Sequence, residues 1–276
     1  MKKCPYCGKE YEDNVPRCPI DDTPLYEPLD FLPVNGEQKD WIEKSFLWLL
    51  ETFGRDKFLE RKTILPEPSF FPDKYDETEE AVDRVVERVC KYMDVDPGLI
   101  EVGFLVEMGT RPAIEDSDED HTGHAGLYYP KAEEAAKTTI RLNVSLFKNP
   151  TKLIGTIAHE LGHVILLDGN IISRERKDHE YLTDLLTVFY GFGIFTANSS
   201  FQSSGWRVPG GSSWQASWAG YLRQETYGYA LAAYAWMRNE TKPPWSKYLN
   251  MDVAHYTKLS LEFFEKGGPT TLSRLK

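Results

Sequence analysis

The residues best suited to chemistry lie in "TIAHELGHVILLDG", residues 156–169. Positions i and i+4 share one face of a helix, so His159 and His163 project side by side and can grip one metal ion, while Glu160 lies about 100° around the axis from His159. The segment also carries apolar residues at helical spacing: Leu153, Ile154, Ile157, Leu161 and Val164. These residues predict a buried helix, and Gly162 predicts the close approach of another element.

A third metal ligand is expected downstream, because a catalytic zinc ion usually takes three protein ligands and leaves one position open. The segment "DHEYLTDLLTVFYGFG", residues 178–193, offers Glu180 and, four positions later on the same helical face, Asp184. His179 stands next to Glu180 and is the competing third ligand.

The paired motifs "HELGH" and "EYLTD" resemble those of the gluzincins, the thermolysin-like zinc metallopeptidases, in which an HExxH helix is followed by a glutamate helix carrying ExxxD. The resemblance covers residues 124–195, and the spacing between the motifs is shorter than in the family. It implies three ligands for a catalytic zinc ion, namely His159, His163 and Glu180. Glu180 is preferred to His179 because it alone has an aspartate at the family spacing.

The resemblance also implies roles for the neighbouring carboxylates. Asp184 orients a ligand histidine. Glu160 is the general base: zinc lowers the pKa of a bound water from about 15.7 to about 7, and Glu160 takes its proton and returns it to the leaving amine. In the family a tyrosine or histidine from a later segment stabilises the oxyanion. Tyr227, Tyr229 and His255 lie in suitable segments, and no motif selects one of them.

The predicted function is therefore zinc-dependent hydrolysis of a peptide or protein substrate. The alternative is a noncatalytic zinc-binding regulatory or scaffold protein that keeps a peptidase-like fold. The intact Glu160 argues against this alternative, because a scaffold needs no general base.

A second metal site is expected at the amino terminus, where three of the four cysteines fall within the first eighteen residues. Such crowding is typical of a metal site and not of a disulfide framework. Cys4, Cys7 and Cys18 resemble a zinc ribbon whose second knuckle lacks one cysteine. Asp21 stands in the missing position and is preferred, ahead of Asp22 or a water, as fourth ligand of a structural zinc ion. Because acidic residues outnumber basic ones in this segment, we expect the ribbon to dock a protein partner or to act as a structural cap.

Hydrophobic periodicity predicts the elements before the site. A first helix is expected over residues 36–54, and a second helix is expected from an Asp76 cap through Met93. Cys90 lies on the apolar face of the second helix, which predicts a buried structural thiol. In the next loop, "EDSDEDHTGH", we predict no metal site despite its two histidines, His121 and His124.

The segments "IEVGFLV", "GLYYP" and "TTIRLNVSLF" predict three strands. By the family resemblance, the last of them is the edge strand along which an extended substrate lies. Asn149 and Pro150 predict the start of the HExxH helix. Beyond residue 196, a loop rich in Gly, Ser and Trp (residues 197–220) precedes two more predicted helices, one around residues 221–240 and one from Asp252 to Lys266.

Together these elements predict an α+β fold. It has a small sheet whose edge strand packs on the HExxH helix and the following glutamate helix, a mostly helical carboxy-terminal part, and a short zinc ribbon. We expect the ribbon and a linker at residues 1–30 and a metallopeptidase-like domain at 31–276. Within that domain we expect an amino-terminal helical part at 31–110, a catalytic core at 111–195, and a loop with carboxy-terminal helices at 196–276.

Charge and hydropathy exclude several partners. The net charge of -11 argues against nucleic acid and anionic membranes. No apolar run approaches the roughly 20 residues that span a bilayer, and "MKKCPYCGKEY" lacks the apolar core of a secretory signal. We therefore expect a soluble cytoplasmic protein with no nucleic-acid partner and no membrane partner.

Overall fold

The computed structural model describes residues 2–4, 7, 9–22, 25, 32–105, 125–129, 136–200 and 222–275. Internal contacts divide the chain into two compact units: the first is residues 1–65 with 188–276, and the second is residues 66–187. The predicted boundary at residue 30 between ribbon and peptidase domain lies outside the described residues, and the domain division stays a prediction.

The predicted α+β class is confirmed: within the described residues the chain forms eight α-helices, a two-stranded hairpin and a small mixed sheet of three strands. In chain order the elements are β1 (Lys2–Lys3), β2 (Glu10–Tyr11), α1 (Gly36–Phe53), α2 (Arg55–Glu60), α3 (Glu79–Tyr92), β3 (Ile100–Leu105), β4 (Gly126–Tyr129), β5 (Thr138–Asn143), α4 (Pro150–His163), α5 (His179–Phe189), α6 (Gly193–Ser199), α7 (Gln224–Met237) and α8 (Met251–Glu265). None of the helices in the described ranges is both long enough and apolar enough to cross a membrane.

The first unit contains the hairpin β1–β2 and a set of helices. Helix α1 begins with a capping box between Asn35 and Gln38, and its apolar residues Ile42, Phe46, Leu49 and Leu50 are buried. Helices α7 and α8 pack against each other, and α1 contacts α7. Both carboxy-terminal helices were predicted at these places. The predicted loop after residue 196 begins inside α6, and its residues 201–220 lie outside the described residues.

Within the first unit, a buried carboxylate in α1 is hydrogen-bonded to α7 and to a segment that follows α8. Glu43 in α1 is fully buried, and it accepts hydrogen bonds from the Tyr229 hydroxyl (2.6 Å), from the backbone N–H of Thr271 (2.8 Å) and from its hydroxyl (2.7 Å). The Lys39 ammonium lies 3.0 Å away. Burial by itself raises the pKa of Glu43, but these donors outweigh it and hold the pKa below its ordinary value.

In the second unit, helix α3 begins at a different cap from the predicted one. Thr78 is the N-cap, and its side chain accepts a hydrogen bond from the N–H of Ala81. Asp76 instead accepts a hydrogen bond from the Thr78 hydroxyl, so the predicted Asp76 cap is wrong by two residues. The predicted burial of Cys90 on this helix is confirmed.

The three-stranded sheet has the order β3-β5-β4. Strand β5 pairs in parallel with β3 and antiparallel with β4, so it is the central strand. The prediction that this segment is the edge strand is therefore wrong. Among the described residues β4 has a neighbouring strand on one side only, and this strand, four residues long, forms the edge beside α4.

Candidate metal centre

Helix α4 places the HExxH residues inside the second unit. It begins as predicted, with Asn149 as N-cap accepting a hydrogen bond from the N–H of Lys152 and with Pro150 at the first helical position. Every residue from Leu153 to His163 is buried. The helix packs against α3, β4 and β5, so apolar burial fixes the positions of its histidines.

Three side chains converge where the sequence predicted a catalytic metal. The Nε2 atoms of His159 and His163 are 3.1 Å apart, and the Oε2 atom of Glu180 lies 3.1 Å from the first and 3.3 Å from the second. Ligand atoms about 2.0–2.1 Å from a tetrahedral zinc ion lie roughly 3.3 Å from one another. The three donor atoms therefore have the spacing of three corners of a zinc coordination tetrahedron.

The Nδ1 atom of each histidine, on the ring side away from the three converging atoms, also has a hydrogen-bond partner. The Nδ1 atom of His159 lies 2.8 Å from Oδ1 of Asp184, and because a carboxylate only accepts, the imidazole donates there. Thr183 donates its hydroxyl hydrogen to the carbonyl of His179 (2.8 Å), which leaves its oxygen to accept from Nδ1 of His163 at 3.4 Å. With Nδ1 as the donor, each imidazole in its neutral form turns the lone pair of Nε2 toward Glu180. Two such lone pairs and a carboxylate at this spacing could hold a cation between them.

The pKa values of the ligands suit metal binding. Burial lowers the pKa of His163 and outweighs the opposite effect of the Glu180 carboxylate, which favours the neutral imidazole. Burial opposes ionisation of Glu180, but the two histidine rings beside it outweigh burial and lower the pKa of this carboxyl. A neutral imidazole and an ionised carboxylate are the forms in which these groups bind zinc. Glu180 is also the most exposed ligand, at 34% of its side chain, so solvent reaches the centre from its side.

Glu160 follows His159, one of the three candidate metal ligands, and lies against the edge strand. It is 4% exposed, and a Cβ atom added to Gly126 in β4 would stand 2.7 Å from its Oε1 atom and 2.6 Å from Cγ2 of Thr156. Only a glycine allows β4 to come so close to this carboxylate. The predicted general base is thus enclosed between its own helix and the edge strand.

Helix α5 brings Glu180 and Asp184 to the centre and leaves His179 at its side. The Nδ1 atom of His179 lies 3.5 Å from Oε1 of Glu180, and its ring lies 5.9 Å from that of His163. The set of donor atoms that converge within 4.8 Å of one another includes Glu180 and does not include His179. Helix α5 approaches α4 closely at Gly162, as predicted for this glycine. A Cβ atom there would lie only 2.7 Å from Thr183, so a larger residue would hold the two helices apart.

Sequence reasoning missed two residues of the centre. Thr183 faces His163 one position before Asp184, a place at which the HExxH and ExxxD patterns specify no residue type. Gly126 is the first residue of β4, and it lets the strand lie against Glu160. The sequence did not show this role, because it does not show that β4 contacts α4 at this point.

The three weak candidates for oxyanion stabilisation, Tyr227, Tyr229 and His255, all belong to the first unit. Both tyrosines are buried in α7, and the hydroxyl of Tyr229 donates to Glu43. The histidines of the acidic loop, His121 and His124, lie outside the described residues.

The amino-terminal segment forms a second convergence of metal-binding groups. Cys4, Cys7, Cys18 and Asp21 each offer a donor atom within 4.8 Å of the others. The sulfurs of Cys7 and Cys18 are 3.7 Å apart, close to the roughly 3.8 Å expected for two thiolates on one tetrahedral zinc ion. Asp21 lies 3.3 Å from the sulfur of Cys4, whereas Asp22 turns outward to Arg17.

In comparisons with known proteins, the chain matches no family model, no curated protein and no solved structure.

Proposed function

We propose that the chain is a zinc metallopeptidase of the gluzincin type. The observation that carries the proposal is the convergence of Nε2 of His159, Nε2 of His163 and Oε2 of Glu180 at mutual distances of 3.1 to 3.3 Å. The carboxylate of Asp184 behind His159 supports it, because ligand histidines usually donate their second N–H to such a group.

The three ligands would hold zinc with one position open, and the bound ion would supply Lewis acidity toward a water and a peptide carbonyl. Asp184 and Thr183 fix the ring orientations of His159 and His163. Glu160 is buried one position after the first ligand and removes a proton from the attacking water, then delivers it to the leaving amine. The low exposure of Glu160 strengthens this proton transfer by excluding bulk water.

Strand β4, and not β5, is the place where an extended substrate would lie. Within the described residues its outer edge has no partner strand, and its inner face meets Glu160 at Gly126 and the ring of His163 at Tyr128, with ring centroids 5.5 Å apart. Main-chain pairing along this edge would set a peptide bond beside the base and the ligands.

The amino-terminal cluster is proposed as a structural zinc ribbon with Cys4, Cys7, Cys18 and Asp21 as ligands. Its two strands have two residues each, too few to be stable without a crosslink or a metal. We propose that this ribbon caps the chain or docks a protein partner.

The test of the peptidase compares variants that separate metal binding from proton transfer. A peptide library is digested with and without a chelator, and zinc is counted on each purified protein. Glu160→Gln should retain zinc and fold while hydrolysis falls by about 10²- to 10⁴-fold. Glu180→Gln should lose zinc, and Asp184→Asn should lose roughly 10- to 100-fold in zinc affinity or activity.

The order of these effects decides the proposal. If Glu160→Gln cleaves as fast as the parent, the mechanism is wrong. If Glu180→Gln holds zinc undiminished and His179→Ala loses it, the third ligand is His179. A parent that binds zinc and cleaves no peptide would favour the noncatalytic regulatory or scaffold protein.

A further inference from the structure

Asp168, Tyr128, Thr138 and Arg174 form a polar cluster next to the candidate centre. The ring of Tyr128 lies between this cluster and His163. Asp168, which follows α4, accepts a short hydrogen bond from the Tyr128 hydroxyl and a bond of 2.6 Å from the Thr138 hydroxyl. Arg174 donates through Nη2 to the Tyr128 oxygen (3.1 Å) and to Asp168 (3.2 Å). The cluster therefore joins β4, β5 and the loop between α4 and α5.

Tyr128 connects this cluster to the metal ligands. One end of its side chain bonds to Asp168 and Arg174, while its ring packs on the imidazole of His163, tilted by 31°. The Tyr128 hydroxyl donates to Asp168, because a carboxylate only accepts. The Arg174 guanidinium stands 5.8 Å from the centre of the same ring.

The exposed end of the cluster is its positive end. The Asp168 side chain is 14% exposed, and its charge is offset by two hydroxyl donors in addition to Arg174. The Arg174 side chain is 48% exposed, and its Nε and Nη1 groups make no hydrogen bond to the described residues. The site thus presents a fixed guanidinium to solvent. A guanidinium held in this way binds carboxylates with little loss of side-chain entropy.

We propose that Arg174 is a specificity-determining residue that binds a carboxylate of the substrate. The inference rests on the proposed peptidase site and names the substrate class: peptides with a negative charge a few residues from the cleaved bond. Strand residues rise about 3.3 Å each, so a substrate along β4 places a nearby side chain or its carboxy terminus within reach of the guanidinium. Over the longer range the chain's net charge of -11 disfavours anionic peptides, so selection depends on this short-range contact.

The carboxylate could come from an acidic side chain or from the carboxy terminus of the peptide, and the direction of the peptide along β4 decides which of them reaches Arg174. The strand runs from Gly126, beside Glu160, toward Tyr128, beside Arg174. A peptide antiparallel to β4 brings residues on the amino-terminal side of the cleaved bond to Arg174, and an acidic side chain is then the ligand. A parallel peptide brings residues on the carboxy-terminal side, and the ligand is then an acidic side chain there or the terminal carboxylate.

The test measures peptide binding by zinc-loaded full-length protein carrying Glu160→Gln, so that no probe is consumed. Four matched short peptides are used: neutral with an amidated end, one glutamate in the first half, one glutamate in the second half, and neutral with a free carboxylate end. Arg174→Gln should weaken binding of one charged class by about 10-fold and leave the neutral amidated peptide unchanged. Arg174→Lys should restore part of the loss.

Arg176→Gln is the matched control, because this guanidinium lies in the same loop and is closed by two bonds to Asp178 (2.6 and 3.1 Å). Three results overturn the proposal: the parent binds charged and neutral peptides equally, Arg174→Gln weakens all four equally, or Arg176→Gln acts as strongly as Arg174→Gln. Hydrolysis by the chain with Glu160 intact is measured alongside. Its absence would remove the peptidase function, while the binding comparison still decides the role of Arg174.

Discussion

Gly126→Ala tests how closely the edge strand lies to the carboxylate of Glu160, the proposed general base. The added methyl would lie 2.6 Å from Cγ2 of Thr156, 2.7 Å from Oε1 of Glu160 and 3.1 Å from its Cδ atom, where ordinary contacts begin at 3.4 Å. Thr156 is β-branched and stiff, and both neighbours are buried, so the overlap cannot be relieved by a simple rotation into solvent. Either Glu160 or β4 must move.

The shift needed is on the order of 1 Å, and a misplacement of that size costs about 100-fold in rate. We therefore expect kcat for peptide hydrolysis to fall by about that factor. Zinc content should stay the same, because the atoms nearest to the new methyl belong to Thr156 and Glu160 and not to a ligand. Zinc analysis and a thermal melt on the same sample separate a displaced base from an unfolded chain.

Gly36→Ala is the matched control, because a Cβ atom there meets nothing within 4 Å. It should change neither rate nor zinc content. A Gly126→Ala protein that retains parental kcat and melting temperature would show that β4 does not lie against Glu160 as described.

Three further changes probe other parts of the chain. Thr183→Val removes the acceptor facing Nδ1 of His163, so zinc affinity measured by chelator competition should fall roughly 10-fold. An unchanged affinity would mean that the 3.4 Å contact does not contribute to zinc binding. Cys4→Ser should reduce the zinc count from two ions to one while peptide hydrolysis continues; a parent that carries a single ion would remove one of the two centres. Glu43→Ala should lower the free energy of urea unfolding at neutral pH by about 3 kcal/mol, because it leaves the hydroxyl of Tyr229 and the groups of Thr271 unpaired. Since the folded pKa of Glu43 is depressed, its stabilisation is complete above the unfolded value of about 4.3 and is lost as the pH falls through the folded value, so the gap between parent and variant should narrow in acid and not in alkali.

Local signals in the sequence predicted the helices and the members of the centre. Asn149 and Pro150 start α4 as expected, because a side-chain cap and a fixed φ angle act over one turn. The spacing of His159 and His163 on one helix, with Glu180 on the next, was sufficient to identify three side chains whose donor atoms converge. That these residues bind zinc and cleave peptides stays a prediction.

The order of the strands could not be predicted in the same way. The segment "TTIRLNVSLF" predicted a strand, and β5 is one, with Ile140 and Leu142 buried, but a strand pattern does not show which neighbours pair with it. Its central place depends on pairing with β3, which is distant in sequence. Likewise, Asp76 and Thr78 are both good helix caps, and the choice depends on which one takes an extended conformation directly before the helix.

Among the described residues one side of β4 has no partner strand, and this side also bears on self-association. A strand edge with free N–H and C=O groups accepts any extended chain, including a strand from a partly unfolded second copy. Strand β4 has four residues, which limits the number of main-chain hydrogen bonds that such a copy could form. If this edge binds substrate as proposed, its shortness would favour transient binding of a peptide and would offer few hydrogen bonds for aggregation.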